Sequence, residues 1–222
     1  MNSLPESIPP SSSVTQQWSA LAGMTAGPFF LVVSLVQMPL KEGFNPAEHA
    51  FSFLSMGSLG VVQQANFIIT GLLFAASALA VRAAVDGRAG AWASTFMVLL
   101  GTGKIVAGLF VIDPAFGFPE GAPVGPAPTM SMSSALHGVG FAVSMLSWLL
   151  LLAILGRRFH QRGETGWPKA CWAFGVALLL VPPLLMGWAA GGTVFLYIVL
   201  SSAYLFMTAL MSRLKRTALV AT

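Results

Sequence analysis

Six mostly apolar runs, at about 18–40, 61–85, 91–112, 135–156, 170–190 and 193–212, leave this chain few folds to choose from. Each is close to the roughly 20 residues that a helix needs to cross the hydrocarbon core of a bilayer. Inside lipid, every backbone N–H and C=O must find its partner within the protein, so spans of this length are helical. Charged residues make up only 8% of the 222. A soluble domain carries about 25%, so lipid has to cover what polar side chains cannot. The expectation is an all-α membrane protein: a six-transmembrane-helix bundle over 18–216, preceded by a disordered polar tail at 1–17 and followed by a short tail at 217–222.

Basic residues set the expected orientation. With the N-terminus inside, Arg82, Arg88, Arg157, Arg158, Arg162, Lys169, Arg213, Lys215 and Arg216 all lie on the inner side, and only Lys41 lies on the outer side. That bias predicts both termini in the cytoplasm of a multi-pass cell-membrane protein. The same placement accounts for the net charge of +4 without nucleic acid as a partner. The N-terminal stretch has no Lys or Arg, so it lacks the basic region of a signal peptide. The lone Cys171 excludes an intramolecular disulfide and reads as a packed core residue.

Several local patterns refine this picture. Ser19, Gly23 and Gly27 recur at spacing four, which suits close helix packing. Asn45-Pro46-Ala47-Glu48 has the form of a capping box with Pro at the first helical position. It predicts a short outer helix at 46–56, between the first two crossings, lying at the interface or dipping into the bundle, with His49, Ser52, Phe53 and Met56 on one face. Gln63, Gln64 and Asn66 open the second crossing, where amides seek partners across helices. Lys104 lies nine residues before Asp113, about 13 Å along a helix axis, and so near mid-membrane. A lysine there costs about 2.5–3.5 kcal/mol to insert. No acid sits at its depth, and amides, carbonyls or a trapped water are its available partners.

Asp113 begins a loop of Gly, Pro and Met that runs to about 134, contains Glu120 and holds no basic residue. The Asp-Pro pair suits a helix stop, because the residue before proline avoids the helical region. Asp113 therefore reads first as an anchor for this loop. His137 opens the fourth crossing on the same side.

Two strings resemble one known family. The first contains Ser55, Gly57, Gln64, Asn66, Phe67, Gly71 and Leu72; the second contains Gly108, Phe110, Asp113, Pro114, Gly117, Pro119 and Gly121, with Leu136-His137 following. They are similar to the domain-of-unknown-function-998 family of prokaryotic membrane proteins. The resemblance implies the six-helix fold and the membrane, and implies no established activity. The family pattern has an aromatic residue near Val62 and an apolar one at Lys104, so the lysine is a departure from it.

Three functional readings fit these residues. The first is a non-enzymatic membrane protein with an outward-facing polar pocket for a membrane lipid or small amphiphile, lined by Gln64, Asn66, Lys104, Asp113 and His137. It needs no cofactor. The second is a metal-dependent lipid hydrolase at the outer leaflet, drawing on Asp113, His137, His49 and Ser52. His49, Asp113 and His137 would be the minimal zinc set, with water in the open position. The third is a proton-coupled carrier titrating Lys104 and Asp113. The first is the reading that the turn chemistry of Asp113 favours.

Overall fold

The computed structural model describes residues 11–187 and 192–220, and the side chains within 14–180 and 192–216. It contains α1 (Ser11–Gln37), α2 (Gly60–Ala76), α3 (Ala78–Ala84), α4 (Gly87–Leu109), α5 (Met132–Gln161), α6 (Gly166–Gly187) and α7 (Gly192–Val220). The architecture is an all-α, multi-pass membrane bundle. Among the described residues, five helical segments are long and apolar enough to cross a bilayer: Val14–Leu40, Gly60–Ala84, Gly87–Leu109, Met132–Gln161 and Gly192–Arg216. Gly166–Leu180 of α6 is a further, shorter apolar segment. Exposed Val32, Leu72, Leu146 and Ile198 give the bundle an apolar outer surface, as a lipid surround requires. Helix α1 starts at Ser11, inside the expected polar tail, whose first ten residues lie outside the described ones.

Helix α4 packs extensively against both α2 and α5. Its glycines explain why. A Cβ on Gly101 would stand 2.3 Å from the carbonyl oxygen of Gly71 in α2, and one on Gly71 would stand 2.5 Å from that of Gly101. On the other side, a Cβ on Gly103 would stand 2.5 Å from the Gly140 oxygen of α5. Helices in lipid gain no hydrophobic free energy by associating, so contact this close between backbones supplies the dispersion energy that side chains would otherwise prevent. The expected packing role of Ser19, Gly23 and Gly27 is also seen. Gly27 abuts the backbone of Tyr204 in α7, and Gly23 abuts Ser77 and Met211.

The second apolar run forms one span, Gly60–Ala84, with a local interruption at Ser77 between α2 and α3. Ser19 of α1 enters this break, donating to the Ala76 carbonyl at 2.7 Å and accepting the Ala80 N–H at 2.9 Å. A side chain inserted into the backbone ladder is a recognised cause of such a break. One local expectation needs correction: the expected α-helix at 46–56 is instead a 3-10 helix over Phe51–Ser55. Glu48 does not complete a capping box. The Asn45 side chain accepts the Ala47 N–H at 3.0 Å, closing a turn ahead of the helix. Phe51 then packs on Phe30 and Tyr197 while Phe53 packs on His49 and Phe116, so this segment is held from both sides and is largely buried.

Gly103→Val should lower stability by about 1–3 kcal/mol, the usual cost of overpacking. Thermal unfolding in detergent would register it as a lower midpoint, with Gly138→Val, at a position where a Cβ meets nothing within 4 Å, as the matched control.

Candidate functional site

His49, Ser52, Asp113 and His137 lie at the end of the bundle that carries Asp113. Here the 41–59 segment, the 110–131 loop and the first turns of α5 meet. A helix leaves its last carbonyls without partners, and α4 ends in this way at Leu109. His137 of α5 satisfies two of the carbonyls there: its Nδ1–H donates to Ala107 at 2.8 Å and to Phe110 at 2.9 Å. Ser133 completes the cap, accepting the Val111 N–H and donating to the Val111 carbonyl.

This arrangement assigns the tautomer of His137. With the proton on Nδ1, Nε2 is an acceptor, and it receives the Ser52 hydroxyl at 3.1 Å. Ser52 comes from the 3-10 helix and is half-buried, whereas His137 is buried. A hydroxyl and an imidazole from segments 85 residues apart thus form a pair whose base is oriented by backbone carbonyls.

His49 does different work. Its Nδ1 accepts the Asn45 N–H and its Nε2–H donates to the Phe116 carbonyl, each at 2.9 Å. The ring is stacked on Phe53 and lies against Phe44 and Phe118. Phe116 and Gly117 both take positive φ, 52° and 76°, which turns the loop so that the Phe116 carbonyl faces His49. Left-handed backbone is costly for phenylalanine and free for glycine, and the bond from His49 helps to hold it.

Asp113 caps α5 from across the loop. Its Oδ2 accepts the Ser131 N–H at 2.8 Å, and its own N–H donates to Ser134. Hydrogen bonds from the Ser131 side chain and backbone hold its carboxyl below the usual carboxylate range. The reading of Asp113 as a loop anchor agrees with these contacts.

The remaining candidates have separate partners. Gln64 donates to the Ser55 carbonyl at 3.2 Å. Asn66 donates to the Phe30 carbonyl, Ser34 and Gln63 within a buried amide seam between α1 and α2. Lys104 is buried, with its ammonium over the rings of Phe30, Phe67 and Tyr204 at 4.8, 5.3 and 5.1 Å. Three aromatic faces, rather than amides or carbonyls, surround it. Sequence reasoning missed this cage, although the three rings sit in three different apolar runs at a depth similar to that of Lys104. It also missed Ser131, Ser133 and Ser134, which a serine cluster just ahead of a helix start signals.

His49, Asp113 and His137 therefore each serve another partner. Among the described residues, no group of three or more His, Cys, Asp or Glu side chains could hold a metal ion. His49, Asp113 and His137, the candidate zinc set of the second reading, do not form such a group.

A cleft of about 420 Å³ opens beside these residues. Phe118 and Pro119 give it an apolar wall, Glu42 and Glu120 supply carboxylates, and Lys41 and Ser58 complete its polar lining. Lys41 is buried, its ammonium bonded to the Met56 carbonyl and facing the Phe118 ring. Burial pulls its pKa below the usual lysine value. None of these residues was among the site candidates read from the sequence, where Glu120 is noted only as an acid of the outer loop. Lys41, the lone cation expected on this side, was the signal available for the rest.

Two outcomes follow for these residues. Asp113→Ala should free the 113–131 loop, which would appear as faster proteolytic nicking and amide exchange there. In the wild type, the same contribution is present above the ordinary carboxylate range and lost as pH falls through the depressed folded value, so loop protection should decline in acid. Lys104→Met should raise stability by about 1 kcal/mol. It removes an insertion cost of about 2.5–3.5 kcal/mol and forfeits a desolvated cation–π contribution of about 2 kcal/mol; thermal unfolding in detergent measures the difference.

No curated protein and no solved structure matches the chain. The family model described as Protein of unknown function (DUF998) matches residues 24–212. With most of its length inside that match, the chain belongs to this family of membrane proteins of unknown function.

Proposed function

We propose that this is a six-crossing cell-membrane protein, with its arginine-rich end and both termini cytoplasmic, that binds the head of a zwitterionic membrane lipid in its outer cleft. The orientation rests on the distribution of basic residues. Counting six crossings takes α2 and α3 together as one and includes the 22-residue α6, whose length falls within the range for a spanning helix.

The cleft itself carries the ligand assignment. Its volume lies within the usual range for small-molecule sites. Its charged groups are one lysine and two glutamates, set against an apolar wall of Phe118 and Pro119. A head with one anionic and one cationic group matches that set: the phosphate faces Lys41 and the amine faces Glu42 and Glu120. An anionic head would meet two carboxylates with only one cation to offset them. Acyl chains leaving the head would continue down the apolar exterior of the bundle.

Full-length protein in nanodiscs should retain phosphatidylethanolamine in preference to phosphatidylglycerol, as read by native mass spectrometry. Glu42→Gln and Glu120→Gln should each weaken the preference by up to about fivefold, the ceiling expected for an exposed ion pair. An unchanged preference in the double variant would refute the assignment.

A further inference from the structure

We propose that Ser52 and His137 form a metal-independent nucleophile–base pair that cleaves an acyl ester of the bound amphiphile. For the source of its substrate this rests on the lipid-binding reading of the cleft; the pair itself stands on separate geometry.

Activation of a serine needs a base within hydrogen-bond reach and a third group that orients the base. Both conditions are met. Ser52 Oγ lies 3.1 Å from His137 Nε2. The Ala107 and Phe110 carbonyls fix the proton on Nδ1, so the Nε2 lone pair is directed at the hydroxyl. These carbonyls take the place that a carboxylate fills in a triad. They also stabilise the imidazolium that forms when the hydroxyl proton is taken, because Nδ1–H goes on donating to them. Asp113 is occupied with Ser131 instead. Ser52 is half-buried and sits on the segment that leads directly to Gly57 and Ser58 of the cleft.

The chemistry closes with water as the only co-reactant. Ser52 Oγ bonds to the ester carbonyl carbon, and its proton passes to His137 Nε2. The carbon–oxygen bond of the ester breaks, and the departing alkoxide takes that proton from His137. Water, deprotonated by His137, then attacks the acyl-serine. The carboxylic acid leaves and the proton returns to Ser52.

The test uses full-length protein in detergent and a fluorophosphonate, which phosphonylates activated serines. Peptide mass spectrometry should find the adduct on Ser52, and Ser52→Ala should abolish it. His137→Gln should slow labelling about 100-fold or more, the usual worth of a positioned base. His137 also caps α4, so this variant can fail to fold, and a second arm avoids the problem. Ser52→Cys keeps His137 in place, and a thiol paired with it should react with iodoacetamide at a midpoint below the ordinary value of about 8.5. The other charge near the imidazole is Lys104, which lies over the Phe67 ring that His137 also contacts; Lys104→Met in the Ser52→Cys background should leave that midpoint below the ordinary thiol value. Absence of an adduct on Ser52, or a cysteine midpoint at or above 8.5, would reduce the pair to a structural hydrogen bond and overturn the proposal. Labelling does not require an occupied cleft. Loss of labelling with lipid preference intact therefore counts against the pair alone, and the reverse counts against the cleft alone.

Discussion

The close approach of α4 to α2 and α5 governs what happens at the Asp113 end. Reciprocal contacts between Gly71 and Gly101, and between Gly103 and Gly140, fix the height of the three helices relative to one another. That register places His137 level with the carbonyls left open at the end of α4. The same carbonyls hold the imidazole in one tautomer, and the other ring nitrogen is thereby available to Ser52. A chain of consequence runs from four missing side chains to one acceptor lone pair. In water, burial of apolar surface would dominate such packing. In lipid that term is absent, and contact between backbones carries more of the load.

A second constraint is the buried amide seam between α1 and α2. Gln37 donates to Gln63, Gln63 pairs with Ser34, Asn66 bonds Ser34 and Gln63, and Thr70 lies 3.4 Å from Asn66. Unpaired amides in a hydrocarbon setting would be expensive. Apart from Gln37 Oε1, which is buried without a hydrogen-bond partner, they satisfy one another and bind the first two crossings over residues 30–37 and 63–70. This explains why Asn66 has no part in the cleft: its amide group is spent on α1.

Much of the fold was legible in the sequence because it follows from quantities that act locally. Apolar run length gives the spans, and small residues at spacing four give the faces of close approach. Asp113 before Pro114 gives a helix end and an anchored loop. What the sequence concealed depends on pairs far apart in the chain. The break at Ser77 is made by Ser19, 57 residues or more away in its bonds. The 3-10 form of 51–55 is imposed by aromatic packing on both sides, which overrides a plausible capping pattern at Asn45. His49, Asp113 and His137 were legible as polar residues on one side, but not their separate partners. Chemistry at a site is set by which groups meet, and no spacing rule reports that across three helices.

The cage around Lys104 has a consequence for how the protein is made. Phe30 and Phe67 precede the lysine in the chain, but Tyr204 belongs to α7, synthesised 100 residues later. A chain that grows from its N-terminus therefore delivers Lys104 to the membrane with two of its three rings present. Until the final helix arrives, the lysine remains incompletely sheltered. Closing the cage is a late event of biogenesis, and it ties the last crossing to the third. The C-terminal helix thus completes the environment of a charge that entered the bilayer long before it.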